Sequence, residues 1–330
     1  MPILLSFFKE RDMVVKWNGH LSHPRPLPGG GTQGGTLGIL EYLAQTNHNC
    51  DFISIDQKYK FIDDLSLLDI LDLISIGLEN YDYKAHVPSD IAIDHAYLDS
   101  RNCKSQQYLD NLAEWTESHE MQLNLEKSKY MIFNFTKDHA FSTRLYLNGS
   151  KIDQVKETQL LGVTLRDDLS WKSNTANIVK KAYKRMIILK RLYQFGVPRE
   201  DLIQIYILYI RSVVEQSAVI WHSSLTVGET RDIERVQKVS LRLLLKEEYV
   251  SYQGALHITG LQTLEERREF LCLNFARKCL KSDATKDMFP LKKTCRNTRK
   301  PQKFHVPFAR TSRLANSAIP YMAKLLNNHS

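Results

Sequence analysis

Apolar positions in the first half of this chain fall into short alternating runs; in the second half they recur at helical spacing. Met13 to Trp17 reads as a strand running into the Asn18-Gly19 turn. Tyr59 and Phe61, then Leu65 and Leu67, alternate on either side of two aspartates, which predicts two short strands joined by an Asp63-Asp64 turn. Ser105 to His119 is an amphipathic helix with Leu109, Leu112, Ala113 and Trp115 on its apolar side. Tyr130 to Phe135 and Gln159 to Arg166 read as strands. Leu145 to Leu147, the Asn148-Gly149 turn and Lys151 onward read as a hairpin. From Asn174 the period changes: Ile178, Ala182, Met186, Leu189 and Tyr193 lie on one helix face, which Gly196-Val197-Pro198 terminates. Asp201 to Trp221 and Val227 to Glu247 are expected as two further helices. The first of these is strongly apolar, but Gln204, Arg211, Glu215 and Gln216 interrupt it, so it suits a core better than a membrane.

Composition places the chain among ordinary globular proteins: 330 residues, 43% hydrophobic and 25% charged, enough for two or three packed units. The formal charge of +8 favours a polyanionic partner, nucleic acid before a membrane surface. Five cysteines are scattered with no CxxC pair, which excludes a zinc ribbon and a disulfide framework. Cys279, Cys295 and His305 have no recognised ligand spacing and read as idle or buried groups. The apolar start, Met1 to Phe8, runs into Lys9-Glu10-Arg11 without a cleavage pattern, so no secretion signal is expected. Together these features suggest an intracellular protein of the nucleus or cytoplasm, neither secreted nor membrane-bound.

Two stretches carry candidate chemistry. Asp63 and Asp64 at the tip of a buried hairpin would repel each other unless a cation neutralised them, and hard divalent metals take oxygen ligands of this kind. The alternative is an ordinary acidic turn. Upstream, Gly29 to Gly38 precedes a helix over Ile39 to Gln45. Gly29, Gly31 and Gly34 match GxGxxG, but a proline-rich loop precedes them where a strand is required. Gly35 stands where a phosphate-binding P-loop has lysine. What survives is a glycine loop that lets a ligand approach the backbone, backed by a helix N-terminus. A second aspartate pair, Asp167-Asp168, reads as a turn.

Charge is uneven. Lys172, Lys180, Lys181, Lys184, Arg185, Lys190 and Arg191 fall in one helical segment with no acid among them. That pattern suits phosphate contact as well as a solvated face. No acidic residue follows Asp287, while Lys292, Lys293, Arg296, Arg299, Lys300, Lys303, Arg310, Arg313 and Lys324 accumulate around Phe304, Phe308 and Tyr321. This is either a nucleic-acid-binding segment or a flexible basic tail.

Taken in order, GGTQGGTLG before a helix, FIDD in a hairpin, an amphipathic helix with Trp115, LNLEKSK before a strand, LLGVTL before Trp171 and then a basic helix resemble the reverse transcriptases of non-LTR retrotransposons. The resemblance covers roughly Ser6 to Trp221, and AVIWHSSL and ERVQK beyond it are also similar. It implies an α+β fold: a partial polymerase palm, an antiparallel sheet with packed helices, over residues 1–170; an all-α thumb over 171–250; and a basic helical or irregular segment over 251–330. It implies RNA-directed DNA polymerase chemistry, with an RNA template, a DNA primer and a deoxynucleoside triphosphate as partners. Gln33, Gly34 and Phe61 would shape the nucleotide and template pocket. Asp63 would be the main Mg²⁺ ligand and Asp64 the auxiliary carboxylate. Lys127 or Lys129 would lie near the nucleotide phosphates. Leu161-Gly162 would belong to the primer-grip hairpin, and the helix carrying Lys180, Lys181, Lys184, Arg185, Lys190 and Arg191 would track the duplex. Such transfer uses two Mg²⁺ ions about 4 Å apart, one at the primer hydroxyl and one at the leaving phosphates. The family's fingers, and its first metal-binding aspartate upstream of the glycine loop, have no match here. Only Glu10 and Asp12 are acidic before Gly29. The expectation is therefore a truncated palm, inactive alone or acting as a non-catalytic nucleic-acid binder.

Overall fold

A computed structural model of the chain describes residues 12–26, 58–61, 64–67, 104–119, 121–135, 144–292 and 303–329. It divides into two compact units: Met1–Tyr130 with His139–Gln154, and Met131–Asp138 with Val155–Ser330. The predicted helix over Ile39 to Gln45 and the glycine loop lie outside the described residues.

The first unit opens with paired ribbons. Strands β1 (Asp12–Met13) and β4 (Arg25–Pro26) pair antiparallel around the hairpin of β2 (Lys16–Trp17) and β3 (His20–Leu21). Asn18 and Gly19 both have positive φ, as a two-residue hairpin turn requires. Strands β5 (Lys58–Phe61) and β6 (Asp64–Leu67) form the next antiparallel pair, with Phe61 opposite Asp64. Asp64 therefore opens the second strand and is not a turn residue. The reason is register: the alternation that puts Leu65 and Leu67 in β6 extends one residue further back.

Helix α1 (Lys104–Ser118) is the scaffold of this unit. On one side, Leu112 is buried against Tyr108, Leu123 and the β6 residues Leu65 and Leu67. On another, Leu109, Ala113, Leu123 and Tyr130 cover Leu145, Leu147 and Ile152. Leu145 precedes and Leu147 ends β8 (Tyr146–Leu147), which forms a hairpin with β9 (Ser150–Lys151) across Asn148-Gly149. The buried Gln106 fastens helix to strand: its amide donates to the Tyr146 carbonyl (2.8 Å) and its Oε1 accepts from the Tyr146 N–H (2.8 Å). Of the predicted strand Tyr130 to Phe135 only its start is used, as β7 (Lys129–Tyr130), which pairs parallel with β10 (Asp153–Gln154).

The second unit is mostly helical. Gln159 to Arg166, read as one strand, is a hairpin: β11 (Glu157–Leu160) turns through Leu161 (φ 47°) and Gly162 (φ 83°) into β12 (Val163–Arg166). Leucine is an unusual residue for a left-handed turn position, so periodicity alone ran through it. The Gly162 position is also crowded, because a Cβ there would sit 2.7 Å from the Gln216 amide nitrogen. At the other end, Asp167-Asp168 is a turn as expected. Arg166 and the Ser170 N–H bind Asp168 and hold its carboxyl far below the usual carboxylate range.

Helix α2 (Lys172–Gln194) buries Ile178, Ala182, Met186 and Leu189. The expected helix over Asp201 to Trp221 is broken. Helix α3 (Arg199–Ile205) passes into a π-helical segment, Tyr206–Arg211, then α4 (Ser212–Glu215), a corner at Gln216 and left-handed Ser217 (φ 53°), and α5 (Ala218–Trp221). Helix α6 (Val227–Leu245) packs against α2, and a Thr226–Glu229 capping box fixes its start. The core of these helices includes Leu202, Tyr206, Ile210, Trp221, Ile233, Val236 and Leu241. At its centre Gln237 is fully used: its Oε1 accepts from Tyr206 (2.7 Å), and its amide donates to the Tyr252 hydroxyl and the Gln262 carbonyl (2.9 Å each).

Helices α7 (Tyr252–Thr259) and α8 (Leu264–Cys279) follow, then α9 (Ser312–Ala315) and α10 (Ala318–Asn328). Helix α10 and Phe304 pack on α8, with Met322, Leu325 and Leu326 covering Cys272, Leu273 and Cys279. The described part of the basic C-terminal segment is thus built into a second core. Phe304 is buried and Tyr321 half-buried; Phe308 is exposed.

Candidate nucleic-acid interface and the aspartate hairpin

Gln33, Gly34 and Asp63 lie outside the described residues. Phe61 ends β5 and Asp64 begins β6. The hairpin is fixed from behind: Leu65 and Leu67 point to one face of β6 and pack at Leu112 of α1. Leu123 joins the same cluster and leads into the turn that carries the two candidate lysines. That turn is tight: the Asn124 carboxamide oxygen accepts from the Lys127 N–H (3.1 Å), and the Ser128 hydroxyl donates to the Asn124 carbonyl (2.8 Å). Lys127 and Lys129 are both exposed. One apolar cluster therefore braces both the aspartate hairpin and the lysine turn. Among the described residues no group of three histidine, cysteine, aspartate or glutamate side chains is placed to hold a metal.

The six candidate cations of α2 are not equivalent. Lys180, Lys184 and Arg191, spaced i, i+4 and i+11, project opposite the buried face and are exposed. Lys181 and Lys190 are exposed on the flanks. Arg185 is engaged internally: it donates to the Tyr209 carbonyl (2.6 Å), and its guanidinium lies 4.5 Å from the centre of the Tyr209 ring. It ties α2 to the π-helical segment and is not a free phosphate ligand. Ile187, Ile188 and Leu208 are also exposed on these two elements, so the surface mixes cations with apolar side chains.

Two polar features escaped the sequence reading. Arg268 on α8 is fully buried and donates from Nε to His222 Nδ1 (3.2 Å); His222 Nε2 lies 3.4 Å from the Tyr321 hydroxyl. Burial, and then the Arg268 cation, push the His222 imidazole down to about 4. Nothing local in the sequence pairs residues 46 and 99 positions apart. The second is a cationic row along α6, legible as i, i+4, i+7 and i+11 once the helix is laid out but diluted in sequence by Glu229, Asp232 and Glu234.

Over 196 residues, 58% of its length, the chain is 26% identical to the probable RNA-directed DNA polymerase from transposon BS of Drosophila melanogaster. The match spans 19% of that relative's length. No family model matches the chain, and no solved structure matches it. The chain is thus distantly similar to a transposon RNA-directed DNA polymerase. Among the described residues no helix is long and apolar enough to cross a membrane.

Proposed function

We propose that the chain is a reverse-transcriptase-like segment of a retroelement polymerase, with a partial palm in the first unit and a thumb in the second. Its substrates are an RNA template, a DNA primer and a deoxynucleoside triphosphate. The observation that carries this reading is the shared brace: the aspartate hairpin and the Lys127–Lys129 turn rest on one cluster around Leu112. That is what a site joining carboxylates to phosphate-facing lysines needs, since both groups must be held by packed elements. The ordered motifs and the distant transposon relative support it. Asp63 and Asp64 would hold Mg²⁺, which when bound supplies Lewis-acid activation of the primer hydroxyl and stabilises the leaving phosphates. Lys127 or Lys129 neutralises nucleotide phosphate, and Lys180, Lys184 and Arg191 hold the duplex backbone.

A second reading, a non-catalytic nucleic-acid binder, is favoured by one observation: Lys180, Lys184 and Arg191 are exposed along one face of α2 and could hold a phosphate backbone without any carboxylate site. Primer extension in Mg²⁺ separates the two. This chain alone is expected to bind template-primer without extending it, and binding should survive Asp63→Ala. Extension that Asp63→Ala abolishes would establish the catalytic site and remove the second reading.

A further inference from the structure

The outward face of α6 carries a row of cations that the reading above does not use. Arg231, Arg235, Lys238 and Arg242 recur at i, i+4, i+7 and i+11, and Lys246 follows them at the C-cap, off the helical register. At 3.6 residues per turn the four helical cations fall within an arc of about 60°, and their row is about 17 Å long. It lies opposite Ile233, Val236, Gln237, Ser240 and Leu244, while the buried Leu241 and Leu245 border it on the Lys238 side. Four of the five are exposed and Lys238 is half-buried. Only Arg235 has a carboxylate within reach among the described residues, Asp232 at 3.4 Å, and that pair is more than half exposed and weakly held. Three cations lie instead over tyrosine rings: Lys238 over Tyr252 (4.9 Å), Arg242 over Tyr249 (5.2 Å) and Lys246 over Tyr193 (4.3 Å). A ring positions a cation without cancelling its charge. A merely solvated helix face mixes or pairs its charges; in this row only Arg235 is paired.

We propose that this row docks the sugar-phosphate backbone of a nucleic-acid duplex along one strand, as a second tract beside the Lys180–Lys184–Arg191 row of α2. The inference rests on the nucleic-acid reading above and adds a surface to it. The length fits, because a duplex strand advances about 3.4 Å per nucleotide and the row spans about five phosphates. The rings decide between duplex and single strand. Single-strand binders offer open aromatic faces to unstacked bases. Here Tyr193, Tyr249 and Tyr252 are half-buried and each has a cation over its ring. What the row presents is charge alone, which positions a backbone without reading sequence.

The test is a titration of the full chain by fluorescence anisotropy, from 50 to 250 mM KCl. It uses a 20-base-pair RNA–DNA hybrid and a single strand of the same length. The variants are R231Q/R235Q/R242Q on α6 and K180Q/K184Q/R191Q on α2, with Arg242→Gln alone as a milder α6 variant if the triple variant fails to fold. On the hybrid, the α6 triple variant should lower the slope of log affinity against log salt by about 2.7, and Arg242→Gln alone by about 0.9. The single strand should be affected less. An α6 variant that keeps the wild-type slope while the α2 variant loses its share overturns this proposal and leaves the nucleic-acid reading standing. A larger loss on the single strand than on the hybrid also overturns it. A wild-type chain that binds neither probe at 50 mM overturns both.

Discussion

Acid should loosen the helical unit through one imidazole. His222 accepts from Arg268 through Nδ1, so its neutral form carries the proton on Nε2, facing Tyr321. Protonation would put a second cation beside a buried guanidinium. Burial and Arg268 accordingly hold the folded imidazole at about 4, against 6.5 for an ordinary histidine. The unfolded chain binds the extra proton between those values. The His222 contribution is therefore complete above pH 6.5 and declines as pH falls toward 4. Its full size is about 3 kcal/mol, of which about 2 kcal/mol should be gone at pH 5. Urea unfolding followed by circular dichroism, from pH 7.5 to 4.5, measures this in the wild type and in His222→Gln. Glutamine does not titrate, so the variant should be less sensitive to acid by that amount, whatever its stability at neutral pH. Equal pH slopes for the two proteins would refute the reasoning.

Two further outcomes follow from packing. Leu112→Ala should cost about 2–5 kcal/mol, because it opens the cluster that braces Leu65, Leu67 and Leu123. Hydrogen exchange should show the Lys104–Ser118 amides losing protection while those of α6 keep theirs. Gly162→Ala should cost about 1–2 kcal/mol from its left-handed backbone alone. It should cost more while Gln216 is present, since the new methyl would meet the Gln216 amide at 2.7 Å. Thermal denaturation of the single and double variants tests this, and the same cost in a Gln216→Ala background would contradict it.

Much of the helical unit was legible because its helices announce themselves. The apolar face of α2 is legible in Ile178, Ala182, Met186 and Leu189, all buried, while Tyr193 on the same face is half-buried. The Asn18-Gly19 and Asn148-Gly149 turns were legible because both residues tolerate positive φ. Elsewhere, long-range packing decided what local pattern could not. A π-helical turn and the Ser217 corner interrupt Asp201 to Trp221 without disturbing its apolar content. Leu161 turns where a β-prone residue suggests continuation. Phe304 and Tyr321 looked available for bases until α10 drew them toward the second core. At the candidate site, sequence identified the cations of α2 but could not see that Arg185 is taken by Tyr209. It missed the row on α6 because intervening acids hide a charge pattern that only the helix separates.

The central claim is that this chain holds a template-primer on the cations of its helical unit. Fluorescence anisotropy of an RNA–DNA template-primer against the full chain, repeated from 50 to 200 mM salt, tests it most directly. The account predicts binding at 50 mM that weakens steeply with salt and is reduced by K180Q/K184Q/R191Q, each lost phosphate contact lowering the salt slope by about one. Absence of binding at 50 mM, or binding indifferent both to salt and to those three substitutions, would contradict it.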